Sequence, residues 1–95
     1  MSDAEFNMVA TLRVMPESVE VDLNALKESI RNATPSNMKV HAISEQPIAF
    51  GLVALDTVVL TNDKEGGDLD PVRDAYYALD GVSEVDVTDV GRILD

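Results

Sequence analysis

Phe6, Met8, Ala10, Leu12 and Val14 are apolar at every second position, with Asn7, Thr11 and Arg13 between them. This period of two predicts a strand with one apolar face, ended by Pro16. After the connector Glu17 to Val21 the spacing lengthens: Leu23, Leu26, Ile30 and Ala33 recur as on one helix face, and Lys27, Glu28 and Arg31 face outward. Asp22 is placed to cap that helix, with Val21 and Leu26 placed as a hydrophobic staple. Thr34-Pro35-Ser36-Asn37 ends it. Met38 to Gln46 reads as a second strand broken by Pro47, and Gly51 introduces a third, Leu52 to Thr61. The polar stretch from Asn62 to Gly67 predicts an exposed loop. Asp70 then caps a second helix with Pro71 in its first turn and Val72, Ala75, Tyr76 and Leu79 as its buried stripe; Asp80-Gly81 stops it. Val82, Val85 and Val87 form the inward side of a last strand, with Glu84, Asp86 and Thr88 outward, and Gly91 to Asp95 is a tail.

The predicted order is strand, helix, strand, strand, helix, strand. Two helices at this spacing cover one face of a four-stranded antiparallel sheet, so the expected class is α+β, a ferredoxin-like βαββαβ sandwich. The first and last strands are expected in the middle of the sheet. Its other face is left to solvent or to a partner. Ninety-five residues make one domain, 1–95, with enough chain for one core. With no cysteine there is no disulfide and no thiolate metal site, which suits the cytoplasm. No leader is expected, and the longest apolar run, Ile48 to Leu55, is far short of the roughly 20 residues that span a bilayer.

Charge changes the picture more than size. Eighteen acids against seven bases give a net charge of −11. Such a chain repels phosphate backbones and anionic lipid, so neither nucleic acid nor membrane is an expected partner. The acids are spread along the whole chain, which favours adaptation to high salt over a dedicated acidic face. At about 1 M salt the Debye length is only about 3 Å, and self-repulsion is screened.

The chain is poor in catalytic constellations. His41 is the only histidine and has no partner for a zinc site. No serine sits in a Gly-x-Ser-x-Gly elbow. Gly66-Gly67 resembles a phosphate cradle, but Asp63, Glu65, Asp68 and Asp70 would cancel the positive helix end such a site uses. The turn after the first strand, Pro16-Glu17-Ser18-Val19-Glu20, is too acidic for an acylphosphatase. No enzyme activity, cofactor or metal is therefore expected. Two segments stand apart. In Gln46-Pro47-Ile48-Ala49-Phe50-Gly51 an apolar run lies at a strand junction; either Phe50 folds back into the core or it is presented as an anchor. In Gly91-Arg92-Ile93-Leu94-Asp95 a cation adjoins two apolar residues; either the tail packs along the edge of the fold or it is a probe.

Arg13-Val14-Met15-Pro16, Gln46-Pro47-Ile48-Ala49-Phe50-Gly51-Leu52, Glu65-Gly66-Gly67 and Val85-Asp86-Val87-Thr88-Asp89-Val90 together resemble the archaeal elongation factor 1-beta family, in order and over nearly the whole chain. The acidity would suit a halophilic member. The resemblance implies a guanine-nucleotide exchange factor that speeds GDP release from the GTPase elongation factor 1-alpha; a monomer is expected. It implies that Phe50, framed by Pro47, Ile48 and Gly51, lies in the contact with the GTPase. It further implies that Arg92, beside Ile93, reaches toward the magnesium and phosphate site. Eukaryotic relatives commonly carry Lys there; Arg is a planar fork instead of a point charge. The alternative is a regulatory module of the same architecture that binds a small molecule.

Overall fold

The computed structural model describes residues 6–62 and 69–92. Four strands and two α-helices follow in chain order: β1 (Met8–Pro16), α1 (Leu23–Ala33), β2 (Lys39–Pro47), β3 (Val53–Thr61), α2 (Asp70–Tyr77) and β4 (Val82–Arg92), with a single 3-10 turn at Ala49–Gly51 between β2 and β3. The four strands form one antiparallel sheet in the order β2-β3-β1-β4, which is the expected ferredoxin-like sandwich.

The middle strands are the first and third, not the first and last as expected. Two crossovers explain this. β1–α1–β2 and β3–α2–β4 each run strand, helix, parallel strand, and each leaves a one-strand gap in the sheet. The first strand of the other unit fills that gap.

β1 behaves as its alternation predicts. Ala10, Leu12 and Val14 are buried on the helix side and pack with Leu55 and Val59 of β3. Leu26 and Ile30 of α1 and Val72 and Tyr76 of α2 close over them. Strand pairing begins at Met8, two residues later than the alternation. Phe6 is buried all the same, outside the main core cluster.

Asp22 caps α1, its carboxylate accepting from the N–H of Asn24 at 3.0 Å and of Ala25 at 3.3 Å. Val21 packs against the cluster that contains Leu26, as the staple requires. α2 departs from expectation. Leu69 holds the cap position, and Asp70 lies within the first turn with Pro71. There its charge complements the helix dipole. The helix stops at Tyr77, and Leu79 reaches the core from the following turn. The helices are tied by Tyr76, whose hydroxyl lies 2.7 Å from that of Thr34. Thr34 in turn donates to the carbonyl of Ile30 at 2.7 Å.

β4 is longer than predicted. Gly91 and Arg92, expected in the tail, pair with Val9 and Met8 because β1 extends far enough to offer them a ladder. A bulge leaves Thr88 unpaired in register, its hydroxyl donating to the carbonyl of Thr11 at 3.3 Å. The extra residue resets the alternation, so Val87 and Val90 share the helix-side face although they are three apart. Val85 is fully buried there, but Val87 is 38% and Val90 46% exposed. An eight-residue α2 covers only about 12 Å of a strand roughly 35 Å long.

Candidate functional site

Three connections meet at one end of the sheet: Glu17–Val21 after β1, Ile48–Leu52 between β2 and β3, and Ala78–Gly81 after α2. The N–H of Glu17 donates to the carbonyl of Gly81 at 2.8 Å and ties the first to the third. Phe50 lies at this end and is 96% exposed. The alternative left open by the sequence is thereby decided: the ring is outside the core.

Local geometry explains why. Ile48 N–H donates to Leu52 at 2.8 Å, closing the β2–β3 hairpin beyond the Pro47–Val53 pair. Leu52 N–H donates back to Ala49 at 3.3 Å. Between them Phe50 has φ 63 and ψ 29, and Gly51 has φ 77. Two consecutive positive φ values with that bond describe a type I′ turn with Phe50 and Gly51 at its centre. Gly51 suits its place; an added Cβ would also meet Val19 at 3.7 Å. Phe50 does not suit its place, since type I′ turns favour Asn, Asp or Gly there. It is the only residue other than glycine with positive φ among the described residues. Pro47, which was expected to break β2, is its last residue; it sits on an edge strand, where its missing N–H costs no ladder bond. Pro47 is exposed and Ile48 half-buried, and both frame the turn.

Val19 lies beside this turn and is 63% exposed. The pattern along the chain did not single it out, although it falls outside the stripe of α1. A valine in a polar connector was the available signal.

Arg92 is placed elsewhere. It is exposed and pairs with Met8, which pairs on its other side with Thr61. Thr61 is the far end of β3 from the Phe50 turn. Eight residues of strand separate the two ends, roughly 26 Å. The protein is elongated, 39 × 21 × 20 Å, in keeping with that separation. Phe50 and Arg92 are therefore not brought together. Val90 is the neighbour of Arg92 on the same face of β4, so an apolar side chain lies beside the cation. Ile93 lies outside the described residues, as does Gly66-Gly67.

The open sheet face carries Arg13 on a central strand. Its guanidinium donates to both carboxylate oxygens of Asp56, at 2.9 and 3.2 Å. That hydrogen bond, the charge of Asp56 and the more distant charge of Asp86 hold Arg13 firmly in its cationic form. Its row across the sheet thus runs Ser44, Asp56, Arg13, Asp86, with the cation already matched. His41 lies at a bulge in β2 and is exposed. Among the described residues no three side chains of metal-ligating type gather. No described helix is long and apolar enough to cross a membrane. A shallow groove beside the start of α1 is lined by Val21, Ala25, Leu26 and Ser29, with Asp22 and Asp80 at its rim.

Residues 9–93 match the EF-1 guanine nucleotide exchange domain family. Elongation factor 1-beta of Methanothermobacter thermautotrophicus is 47% identical over 88 residues, covering 93% of this chain and 98% of the relative. The protein of that name from Methanobrevibacter smithii is 46% identical, covering 92% and 97%. The one from Natronomonas pharaonis is 43% identical, covering 90% and 97%. Matched over residues 9–93 by that family, similar to these proteins over nine-tenths of its length or more, and folded as the resemblance implied, the chain belongs to the elongation factor 1-beta family and acts as a guanine-nucleotide exchange factor in translation elongation.

Proposed function

We propose that the protein promotes GDP release from elongation factor 1-alpha by holding it at two separated points: an apolar one at Phe50, and a cationic one at Arg92. The observation that carries this reading is the exposure of Phe50 on a turn whose geometry disfavours it. A large ring gains nothing for folding when 96% of it faces water. Left-handed backbone costs a residue with a Cβ roughly 1–2 kcal/mol. Backbone strain of this kind gathers at functional sites. Pro47, Ile48 and Gly51 hold the ring at the tip of a rigid hairpin, so little conformational freedom is lost when it docks.

The exchange factor binds nucleotide-free GTPase better than the GDP form, and by linkage weakens GDP equally. A thousandfold acceleration requires about 4 kcal/mol off the release barrier. Burial of the Phe50 side chain would contribute roughly 1.5–3 kcal/mol of grip. Arg92, with Ile93 next to it, would act near the magnesium and phosphate by opposing the metal's charge. No bond in a substrate is made or broken, so the protein is not an enzyme in the covalent sense. It works as a monomer of one domain, residues 1–95, in the cytoplasm. It touches no nucleic acid directly, in keeping with an open face whose arginine is matched by Asp56.

Stopped-flow release of fluorescent GDP from elongation factor 1-alpha tests the assignment. Phe50→Ala should slow stimulated release roughly 10- to 100-fold, given the binding it removes. Arg92→Ala should slow release with less effect on binding. Wild-type rates in both variants would refute the roles given to these residues.

A further inference from the structure

We infer that Val19 is a second anchor at the Phe50 end, and that the pair enters one apolar groove of the GTPase whose rim is basic. This rests on the reading of Phe50 above and adds the companion residue and the chemistry of the receiving surface.

Val19 repeats the anomaly of Phe50 in a different connection. The N–H of Val21 donates to the carbonyl of Ser18 at 3.4 Å, and the N–H of Glu20 donates to the Ser18 hydroxyl at 3.2 Å. Ser18 to Val21 is thus a turn with Val19 at its first corner. Such corners favour proline and polar residues, and a β-branched apolar side chain gains little there. Nevertheless Val19 is 63% exposed. The rest of the connector is anchored: Glu17 bonds Gly81 at 2.8 Å, and Val21 packs against the core. Of the apolar residues of this connector, only Val19 at the corner is turned outward.

The two corners adjoin. The Val19 Cγ1 lies 3.7 Å from the position a Cβ would take on Gly51, the residue after Phe50. Two tight turns from distant parts of the chain therefore meet at Gly51, which puts exposed Val19 beside the residue that follows exposed Phe50, on a braced support. Glu17 and Glu20 flank Val19 and are exposed, so the apolar pair has an acidic margin. The matching surface is an apolar groove with lysine or arginine at its edge. A second copy of the chain is a poor occupant, because a net charge of −11 on each copy opposes close approach.

Binding to nucleotide-free elongation factor 1-alpha at about 0.1 M and about 1 M KCl tests the inference, with Phe50→Ala as reference. Val19→Ser should weaken binding roughly three- to tenfold at both salt concentrations, without lowering the melting temperature. The double variant Glu17→Lys/Glu20→Lys should weaken binding strongly at low salt and less at high salt. Should Val19→Ser alter melting, the charge reversal decides alone. If both bind as wild type while Phe50→Ala is weakened, the second anchor is refuted and the role of Phe50 stands. If Phe50→Ala also binds as wild type, the reading of the whole end falls. A dimer in sedimentation that Val19→Ser abolishes, with GTPase binding unchanged, assigns this surface to a second copy and overturns the inference.

Discussion

At the scale of single residues, the most informative positions are those where the side chain and its backbone disagree. Phe50 combines φ 63 with near-complete exposure, so both its conformation and its surface are unfavourable to the isolated fold. Replacing it should relieve that cost. Phe50→Gly is expected to raise stability by about 1 kcal/mol in urea unfolding, because glycine adopts positive φ freely, while exchange activity falls. A loss of stability would mean that the ring supports the hairpin and is not held for a partner. Thr57 is a smaller case: its hydroxyl is buried in the centre of β3 without a hydrogen-bond partner, and nothing in the structure accounts for it. The sequence left the exposure of Phe50 as one of two alternatives, and showed neither its backbone strain nor the orphaned hydroxyl of Thr57. Phe50 before Gly51 is an apolar residue in an apolar run, and only closure of the β2–β3 hairpin forces it into the left-handed region.

At the scale of elements, local signals were read well where a cap or a period expresses itself within one turn. Asp22 caps α1 as its position predicts, and β1 buries Ala10, Leu12 and Val14. They were read less well where length depends on a neighbour. α2 ends early and β4 runs on, since a strand continues as long as the adjacent strand offers bonds. The reset at Thr88 likewise left Val90 out of the predicted apolar side of β4. The Tyr76–Thr34 contact between α2 and the end of α1 makes a prediction at this level. Burial pushes the Tyr76 hydroxyl above its ordinary pKa; the Thr34 hydroxyl, which can turn to donate to a phenolate, offsets part of that. The stabilisation is complete below about pH 10, where tyrosine is neutral in both states. It is lost as pH rises through the folded value, because the unfolded chain ionises first. Tyr76→Phe should cost about 1 kcal/mol at pH 7. It should also flatten the fall in stability between about pH 9 and 11, relative to wild type. An unchanged slope in urea titrations at those two pH values would exclude Tyr76 as the cause.

At the scale of the whole molecule, charge and shape dominate. With a net charge of −11, and with Arg13–Asp56 and Lys27–Glu45 pairing two of the eighteen acids, the acids repel one another through solvent. Raising KCl from about 0.1 to about 1 M shortens the Debye length from about 10 to about 3 Å. The melting temperature should then rise by about 5 °C, equivalent to roughly 1 kcal/mol at this size. A flat response in a thermal scan would show that the acids are already compensated locally. Shape sets the functional plan: one end holds Phe50 and Val19, and the other holds Arg92 with Val90 nearby, roughly 26 Å away along β3. By itself the sequence determined the class of fold, both helices and the family, because hydrophobic period, capping residues and motif order are properties of consecutive residues. The order of strands, the outward turn of Phe50, the approach of Val19 to Gly51 next to it and its distance from Arg92 were decided only by tertiary structure. Each depends on which distant segments the sheet brings together and on the backbone conformation that closing the hairpin imposes.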